Sequence, residues 1–181
     1  MRLAGKGDKA VPMDVIEAIM QRRSIRKYEP KPVPEKDLQA ILEAGRQAPS
    51  AANRQPWHFV VVKDEEQRRK LAEACSGQTW MAGAAVIIAG IGKPAVNEKW
   101  HPVDVGIAME NMILAATALG YGTCWIGAFD QERVKTVLKV PEDLLVIALT
   151  PVGVPADKPE PRPRQPLSEF ASLDRYGQKL A

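Results

Sequence analysis

The heptapeptide Arg22-Arg23-Ser24-Ile25-Arg26-Lys27-Tyr28 joins a segment with helical periodicity to one that is predicted to be extended. Four of its seven residues are cations, and arginine carries a planar, permanently charged group with several donors. Such a cluster suits a ligand with a dianionic phosphate, which guanidinium groups bind in a bidentate manner. The same composition is typical of a basic helix end, where cations offset the negative pole of the helix dipole. The heptapeptide alone leaves both interpretations open.

Helical and strand patterns alternate on either side of the heptapeptide. Asp14 with Glu17 three residues later predicts a capped first helix that runs into the heptapeptide. Its apolar stripe consists of Val15, Ile16, Ile19 and Met20. Further helices are predicted from Pro34 to before Pro49, from Asp64 to about Ser76, over 102–119, and from Asp130 to Leu138. Strands are predicted over 57–62, 84–91, 121–126 and 144–152. Their spacing does not follow regular βαβ units, so one α+β domain is expected.

Two segments carry more apolar surface than one chain would bury by itself. The 102–119 pattern is apolar around most of the helix, which favours a central helix that a second subunit helps to cover. The segment 154–181 has five prolines followed by large apolar side chains. Proline at this density favours extended polyproline geometry, about 3.1 Å per residue, so this arm can reach a neighbouring chain. A frayed terminus is the alternative.

The totals exclude several classes of function. The 181 residues are 45% apolar and 26% charged, as expected for a globular protein. A formal net charge of +3 is too small to indicate nucleic acid or a membrane surface as a partner. No apolar run reaches the roughly 18 residues of a membrane span, and residues 1–12 are expected to form a flexible leader without a signal peptide. Two separate cysteines and two histidines argue against a metal site, and a cytoplasmic location is expected.

Two further segments offer groups for a flat, polar ligand. The loop Pro49-Ser50-Ala51-Ala52-Asn53-Arg54-Gln55-Pro56 presents a hydroxyl and two amides, which can serve a flavin edge or a ribityl chain. A turn stabilised by its own side chains is the alternative. The segment Trp125-Ile126-Gly127-Ala128-Phe129 ends a strand with small residues, where a backbone N–H can approach a ligand or simply form a turn.

Two other motifs are weak. Gly120-Tyr121-Gly122 lacks the third glycine and the preceding strand of a dinucleotide-binding loop. Cys124 has no base nearby in its strand pattern, so a buried core thiol is favoured over a nucleophile.

Together these stretches resemble the FMN-dependent nitroreductase family from Met13 to the C-terminus. Four motifs carry the resemblance: the basic heptapeptide, the Pro-Ser-x-x-Asn-x-Gln-Pro-Trp loop, the segment Gly-Tyr-Gly-Thr-Cys-Trp-Ile-Gly and the Arg-x-Arg tail. The resemblance implies a mostly antiparallel sheet flanked by helices, in an intertwined homodimer. Residues 13–153 would form the single FMN-binding domain, and the arm 154–181 would cross to the partner. NAD(P)H would give a hydride to flavin N5, and a nitroaromatic, a quinone or a similar small acceptor would then be reduced in a ping-pong mechanism.

The resemblance also implies a role for each candidate residue. The phosphate and ribityl chain would be held by Arg22, Arg23 and Ser24, with Arg162 and Arg164 returning to the phosphate. Arg26 would lie near N1 and O2 of the ring, where reduced flavin carries negative charge. The other subunit would contribute its loop residues Pro49, Ser50, Ala51 and Asn53, and Gln55 belongs to the same cofactor-binding set. The ring would be bordered by Ile126, Gly127 and Ala128, with a backbone N–H near N5.

Departures from the family pattern leave the acceptor open. At 181 residues the chain lacks most of the segment that covers the pocket in larger members. Gly127 stands where some members have an acidic neighbour, and no residue is an evident general acid, so no catalytic side chain is predicted. Reductive dehalogenation or flavin cleavage on the same fold is an alternative, as is a flavin-binding protein without turnover.

Overall fold

The computed structural model describes residues 13–180, so the predicted leader over 1–12 lies outside the described residues. Within that range the chain forms six α-helices and four strands. In chain order they are α1 (Val15–Gln21), α2 (Glu35–Arg46), β1 (Trp57–Val62), α3 (Glu65–Ala74), β2 (Val86–Gly92), α4 (His101–Ala118), β3 (Gly122–Thr123), α5 (Gln131–Leu138), β4 (Leu145–Gly153) and α6 (Leu167–Phe170). Two short 3₁₀ turns cover Ala51–Asn53 and Thr79–Gly83.

The four strands form one sheet in the order β1-β2-β4-β3, and all neighbours are antiparallel. In the pair β1–β2, Trp57 lies opposite Gly92 and Val62 lies opposite Ile87. Every residue of β2 is buried, as expected for a central strand with helices on both faces. The predicted α+β class and antiparallel sheet are confirmed.

The alternation of side chains along β2 divides the core into two layers. Ile87 and Ala89 pack on one face in a cluster with residues of α3 and α5. Val86 and Ile88 pack on the other face with residues of α2 and α4. Because successive side chains of a strand point to opposite faces, one apolar strand serves both layers.

Of the helices on its face of the sheet, α4 makes the most contacts with the strands. Its buried residues recur every three or four positions and include Val105, Ala108 and Met109. Gly90 of β2 permits this approach, because an ideal Cβ there would come within 2.8 Å of Val105 Cγ1. Val103 and Ile107 remain exposed on the other side. Of the 18 residues of α4, three are exposed, so one chain already covers most sides of the helix, as its pattern predicted.

Helix α1 begins as predicted, but its apolar stripe does not enter the core. The side chain of Asp14 accepts the N–H of Glu17 at 3.0 Å. Ala18 is the buried residue of the helix. The predicted stripe of Val15, Ile16, Ile19 and Met20 is 50–70% exposed. A face this apolar and this exposed is typical of an interaction surface.

The predicted strand over 121–126 is shorter in the structure. Tyr121 donates its N–H to Ala116 O at 2.8 Å, which completes the end of α4 instead of a strand. Regular pairing covers Gly122 and Thr123 alone, and Ile126 rejoins the sheet through an isolated bridge to Leu149.

Among the helices of residues 13–180, none is long and apolar enough to cross a membrane.

Candidate functional site

The basic heptapeptide lies between β3 and the chain that leaves β4. Ile25 donates its N–H to Thr123 O at 2.8 Å, and Ser24 forms a parallel bridge with the same residue. Further along, the N–H of Ala156 donates to Lys27 O at 3.0 Å. These backbone bonds place the first residues of the arm beside the heptapeptide.

The arm and the heptapeptide together enclose a cavity of about 340 Å3. Its cationic lining comes from both ends of the chain, namely Arg22, Arg23, Arg26, Arg162 and Arg164. Ser24 lines it as well, and Glu160 is the carboxylate among its lining residues. The cavity therefore brings together the cations and the hydroxyl that the sequence assigned to one anion.

These five arginines are distinguished by converging on one cavity, and they have no ion-pair partners among the described residues; Arg54 and Arg133 are unpaired there too but stand apart from one another. Within residues 13–180, none of the five lies within 4.0 Å of a carboxylate oxygen, whereas exposed cations such as Arg46 and Arg69 do. Five guanidinium groups that converge on a cavity with one carboxylate, Glu160, generate a positive site. Its donor set matches the oxygen atoms of a phosphate.

Arg23 also acts as a basic residue at a helix end, which is the alternative interpretation of the heptapeptide. Its Nη1 donates to Met20 O at 2.7 Å and to Arg22 O at 2.9 Å, close to the end of α1. Its Nε is buried and has no hydrogen-bond partner among the described residues. The residue therefore caps the helix with one nitrogen and leaves a second, buried donor unused.

Two residues that the sequence did not single out connect Arg26 to the segment 126–129. The indole ring of Trp80 lies under the Arg26 guanidinium, with 5.7 Å from Cζ to the ring centroid. Two residues earlier, Gln78 donates from Nε2 to Ala128 O at 3.2 Å. The 3₁₀ turn before β2 thus contacts both elements, which a search for motifs along the chain cannot reveal.

Gly127 lies on an open surface. An ideal Cβ on Gly127 would meet no heavy atom within 4 Å, and the glycine is exposed. Among the described residues, no acceptor takes the N–H of Gly127 or of Ala128. Both backbone donors are therefore free to bind a ligand. Ile126 itself is buried, with its backbone paired to Leu149.

The loop 49–56 lies at a different cavity. Pro49, Ser50 and Ala51 line a space of about 290 Å3 together with residues of α4, and none of the five arginines lines it. Asn53 and Gln55 are exposed beyond it. One chain thus does not bring the loop to the arginines, as expected if the loop serves the site of a second copy.

A buried carboxylate on α4 contacts this loop, and sequence reasoning missed it. Asp104 is 2% exposed, and its Oδ1 accepts the N–H of Ala51 at 3.1 Å. Burial lowers the pKa of the neighbouring His101, and the Asp104 carboxylate opposes that shift. The available signal was a charged residue on the apolar face of a helix, next to Val105 and Ala108.

The cysteines belong to the core. Cys75 and Cys124 are free and buried, which confirms the interpretation of Cys124 as a core thiol. Burial raises the pKa of the Cys75 thiol to about 11, so it is protonated and unreactive at neutral pH. Within residues 13–180, no group of three or more His, Cys, Asp or Glu side chains could hold a metal ion.

The chain is similar to known flavin enzymes over most of its length. A sequence model described as the nitroreductase family matches residues 19–85 and 74–154. The NADH dehydrogenase of Thermus thermophilus is 32% identical in an alignment of 192 positions, gaps included, that covers 86% of this chain and 93% of that protein. The FMN reductase [NAD(P)H] of Bacillus subtilis is 31% identical, over 90% of this chain and 74% of that one. The structure of the NADPH:FMN oxidoreductase from Vibrio harveyi in complex with NAD+ superposes with a TM-score of 0.83 at 30% identity, covering 92% of this chain and 79% of the other.

Proposed function

We propose a specific activity for this chain, which belongs to the nitroreductase family and is an NAD(P)H-dependent flavin oxidoreductase. In this proposal it works as a homodimer and reduces a nitroaromatic, a quinone or a similar small acceptor. We propose a ping-pong order, in which NAD(P)H leaves before the acceptor binds over the same ring. The observation that carries the proposal is the cavity lined by five arginines without counter-ions. By comparison, the cavities beside Gly120–Gly122, at the loop 49–51 and beside α3 each have at most one arginine in their lining.

The arginine cavity fits the phosphate of FMN by the chemistry of its donors. Arg22, Arg162 and Arg164 would hold phosphate oxygens, and Ser24 offers a hydroxyl at the same cavity. The buried Nε of Arg23 lacks an acceptor among the described residues, and a phosphate oxygen would supply one. A site that must bind a dianion is expected to leave its cations unpaired in the protein alone, because a carboxylate would compete for them.

The remaining side chains would orient the ring. FMN, when bound, supplies the redox chemistry, taking a hydride at N5 and delivering reducing equivalents to the acceptor. Arg26 would place positive charge at the N1 and O2 edge, and the free backbone donors of Gly127 and Ala128 would face N5. A fixed positive charge at N1 favours the reduced ring, which is negatively charged there.

Exposed apolar faces support the homodimer. Val15 and Ile16 of α1 and Val103 of α4 are each 47–65% exposed. The two helices contact one another, so a partner surface that follows α4 would reach both exposed faces. A second copy on this surface would bury them and would bring its loop 49–55 towards the first copy's flavin. Within the arm over 154–181, the part beyond Arg164 would cross to that copy, since Phe170 and Tyr176 also remain exposed.

Binding of FMN and of riboflavin tests the arginine site, because riboflavin differs in having no phosphate. We expect the parent protein to bind FMN far more tightly than riboflavin, as measured by quenching of flavin fluorescence. Arg22→Ala combined with Arg162→Ala should weaken FMN binding by on the order of a hundredfold or more and leave riboflavin binding nearly unchanged. Lys36→Ala removes an exposed cation elsewhere and should change neither affinity. Equal affinities of the parent for the two flavins would contradict the proposal.

Steady-state turnover tests which class of acceptor the enzyme reduces and in which order the substrates bind. Purified protein should be yellow, should release FMN on denaturation, and should oxidise NADH or NADPH steadily with a quinone or a nitroaromatic. Double-reciprocal plots at several acceptor concentrations should be parallel if the order is ping-pong. Destruction of the flavin during turnover would favour a flavin-cleaving enzyme instead. Bound flavin that neither nicotinamide reduces would favour a binding protein.

A further inference from the structure

We infer that Asp104 is a positioning residue: from α4 it holds the loop 50–55 in the strained shape in which a second copy's flavin would meet it. The inference rests on the proposed function, in which this loop contacts the cofactor across the dimer. It concerns a residue that makes no flavin contact in that proposal.

The loop has an unfavourable backbone. Ala52, Asn53 and Gln55 have φ values of 52°, 53° and 49°, in the left-handed region that side-chain-bearing residues rarely adopt. Asparagine tolerates this region, but alanine and glutamine do so less readily. Three such residues within four positions persist only where surrounding contacts hold them, and such strain is concentrated at ligand-binding sites.

Most of the hydrogen bonds of the loop are internal. Gln55 donates its N–H to Ser50 Oγ at 2.9 Å, and Asn53 donates its N–H to Ser50 O at 2.9 Å. These bonds define the shape of the loop but do not attach it to the domain. The attachments among the described residues are the bond from Ala51 N–H to Asp104 Oδ1, at 3.1 Å, and a marginal one from Arg54 Nη1 to Val96 O, at 3.5 Å.

Packing does not replace the bond to Asp104. The cavity of about 290 Å3 lies between Ser50 and Ala51 of the loop and Val103 and Ile107 of the helix. Side chains across a cavity cannot fix the separation of two elements as close-packed ones do. Within residues 50–55 this hydrogen bond is the direct link between loop and helix, while just beyond them Pro56 O accepts the N–H of Lys93 at 2.9 Å.

The choice of a carboxylate is informative. Asp104 is 2% exposed, and its Oδ2 has no partner among the described residues. A buried ionised group is unfavourable for folding unless its hydrogen bonds compensate. A carboxylate is a stronger acceptor for a backbone N–H than a neutral oxygen is, and at 3.1 Å this bond has an ordinary length. The unfavourable free energy of burying Asp104 is explained if its bond to Ala51 must hold the strained backbone of the loop in place.

The test compares three variants of α4 in the full-length protein. Asp104→Ala removes the acceptor, whereas Asp104→Asn keeps an oxygen in its place. Asn111→Ala is the matched control, because Asn111 donates to Ala44 O at 3.3 Å and so loses one bond from the same helix to a different element. Amide hydrogen exchange of the peptide 49–57 without flavin, FMN affinity and the visible circular dichroism of bound flavin are measured for each.

We expect Asp104→Ala to speed exchange in the loop at least tenfold and to weaken FMN binding at least tenfold. Asp104→Asn should restore both to within about threefold of the parent, and Asn111→Ala should leave both at parental values. Because the arginines are untouched, the preference of Asp104→Ala for FMN over riboflavin should stay as in the parent. A parent without that preference would refute the arginine site, but the exchange data would still decide the role of Asp104.

Parental exchange and parental FMN affinity in Asp104→Ala would overturn the inference, as would equal losses in Asn111→Ala.

If Asp104→Ala does not fold, Ala51→Pro removes the donor of the same bond. Ser50 is extended, with φ −142° and ψ 157°, so it tolerates a following proline. Faster exchange at residues 53–57 in Ala51→Pro supports the inference, and parental exchange there refutes it.

Discussion

The Arg26 guanidinium lies on the face of the Trp80 indole ring, 5.7 Å from its centroid. Trp80 belongs to the 3₁₀ turn Thr79–Gly83 and packs against the core cluster between the sheet, α3 and α5. A partly buried aromatic ring therefore orients an exposed arginine without neutralising it. That combination suits a residue whose charge must act on a bound ligand.

We predict that the flavin midpoint potential depends on this pair. A cation–π contact at an exposed site contributes about 0.5–1 kcal/mol in either redox state, so its loss in Trp80→Leu should lower the potential by no more than about 20 mV. Arg26→Gln removes the charge itself and should lower it further. Spectroelectrochemical titration measures both. Lys27→Gln is the control, since Lys27 is an exposed cation that does not line the cavity. A parental potential in Trp80→Leu would show that the ring does not govern the position of Arg26.

The exposed face of α1 should be a dimer contact. Ile16→Glu places a charge among apolar side chains that are 50–70% exposed in one chain, and burying it against a second copy would be unfavourable. We expect size-exclusion chromatography with light scattering to give twice the chain mass for the parent and the chain mass for Ile16→Glu. The variant should also lose FMN affinity, because one copy lacks the second copy's loop. Gln39→Glu adds the same charge on the exposed side of α2 and should remain dimeric. A monomeric parent that binds FMN tightly would contradict the proposed assembly.

Gly45 of α2 marks the close approach of α2 to α4. An ideal Cβ at this position would lie 2.8 Å from Met112 Cγ, and Met112 is fully buried. Gly45→Ala should therefore lower the free energy of unfolding by about 1–3 kcal/mol, measured by urea denaturation. Combination with Met112→Ala should cost at least about 0.5 kcal/mol less than the sum of the single effects, because the shortened side chain makes room. Additive effects would mean that the two residues do not compete for space.

The stability of the protein should depend on Tyr121 at alkaline pH. Burial, together with the hydrogen bond that its hydroxyl donates to Asp37 Oδ2 at 2.6 Å, raises the pKa of Tyr121 to about 12. In the unfolded chain the pKa is about 10, so above pH 10 the folded state holds a proton that the unfolded state releases. The stabilisation by this phenol is complete below pH 10 and is lost as the pH rises to 12. Urea unfolding at pH 8, 10 and 11 should show the advantage of the parent over Tyr121→Phe shrinking with pH. A constant difference would exclude this linkage.

The elements of the core could be predicted from local patterns. β2 is a continuous apolar run that is buried throughout, and α4 repeats its buried residues every three or four positions. Capping residues such as Asp14 and Asp64 predicted where helices begin, and both accept the expected N–H groups. The failures arose where tertiary contacts override local preference. The strand after Gly120 is short because Tyr121 bonds back to α4, which no pattern of side chains indicates.

The candidate site was predictable only in part. The arginines of the heptapeptide and of the arm share one cavity, as the motifs suggested. Trp80 and Asp104 were not predictable as functional residues, because each acts through a neighbour that is more than 50 positions away in the chain. The roles of Gly127, Ala128 and the loop 49–55 towards FMN stay predictions, since they depend on a ligand and on a second copy.

The arginine cavity draws on both ends of the polypeptide, with Arg22 and Arg162 separated by 140 residues. A ribosome that adds about 5–20 residues per second needs roughly 7–28 s to pass from the first arginine to the second. The hydrophobic sheet and its helices are all encoded before Arg162, so most of the domain can form while the phosphate site is still incomplete. Under the proposed function, flavin capture would wait until Arg162 has been synthesised, and a product truncated before Arg162 should remain colourless even if its core were intact.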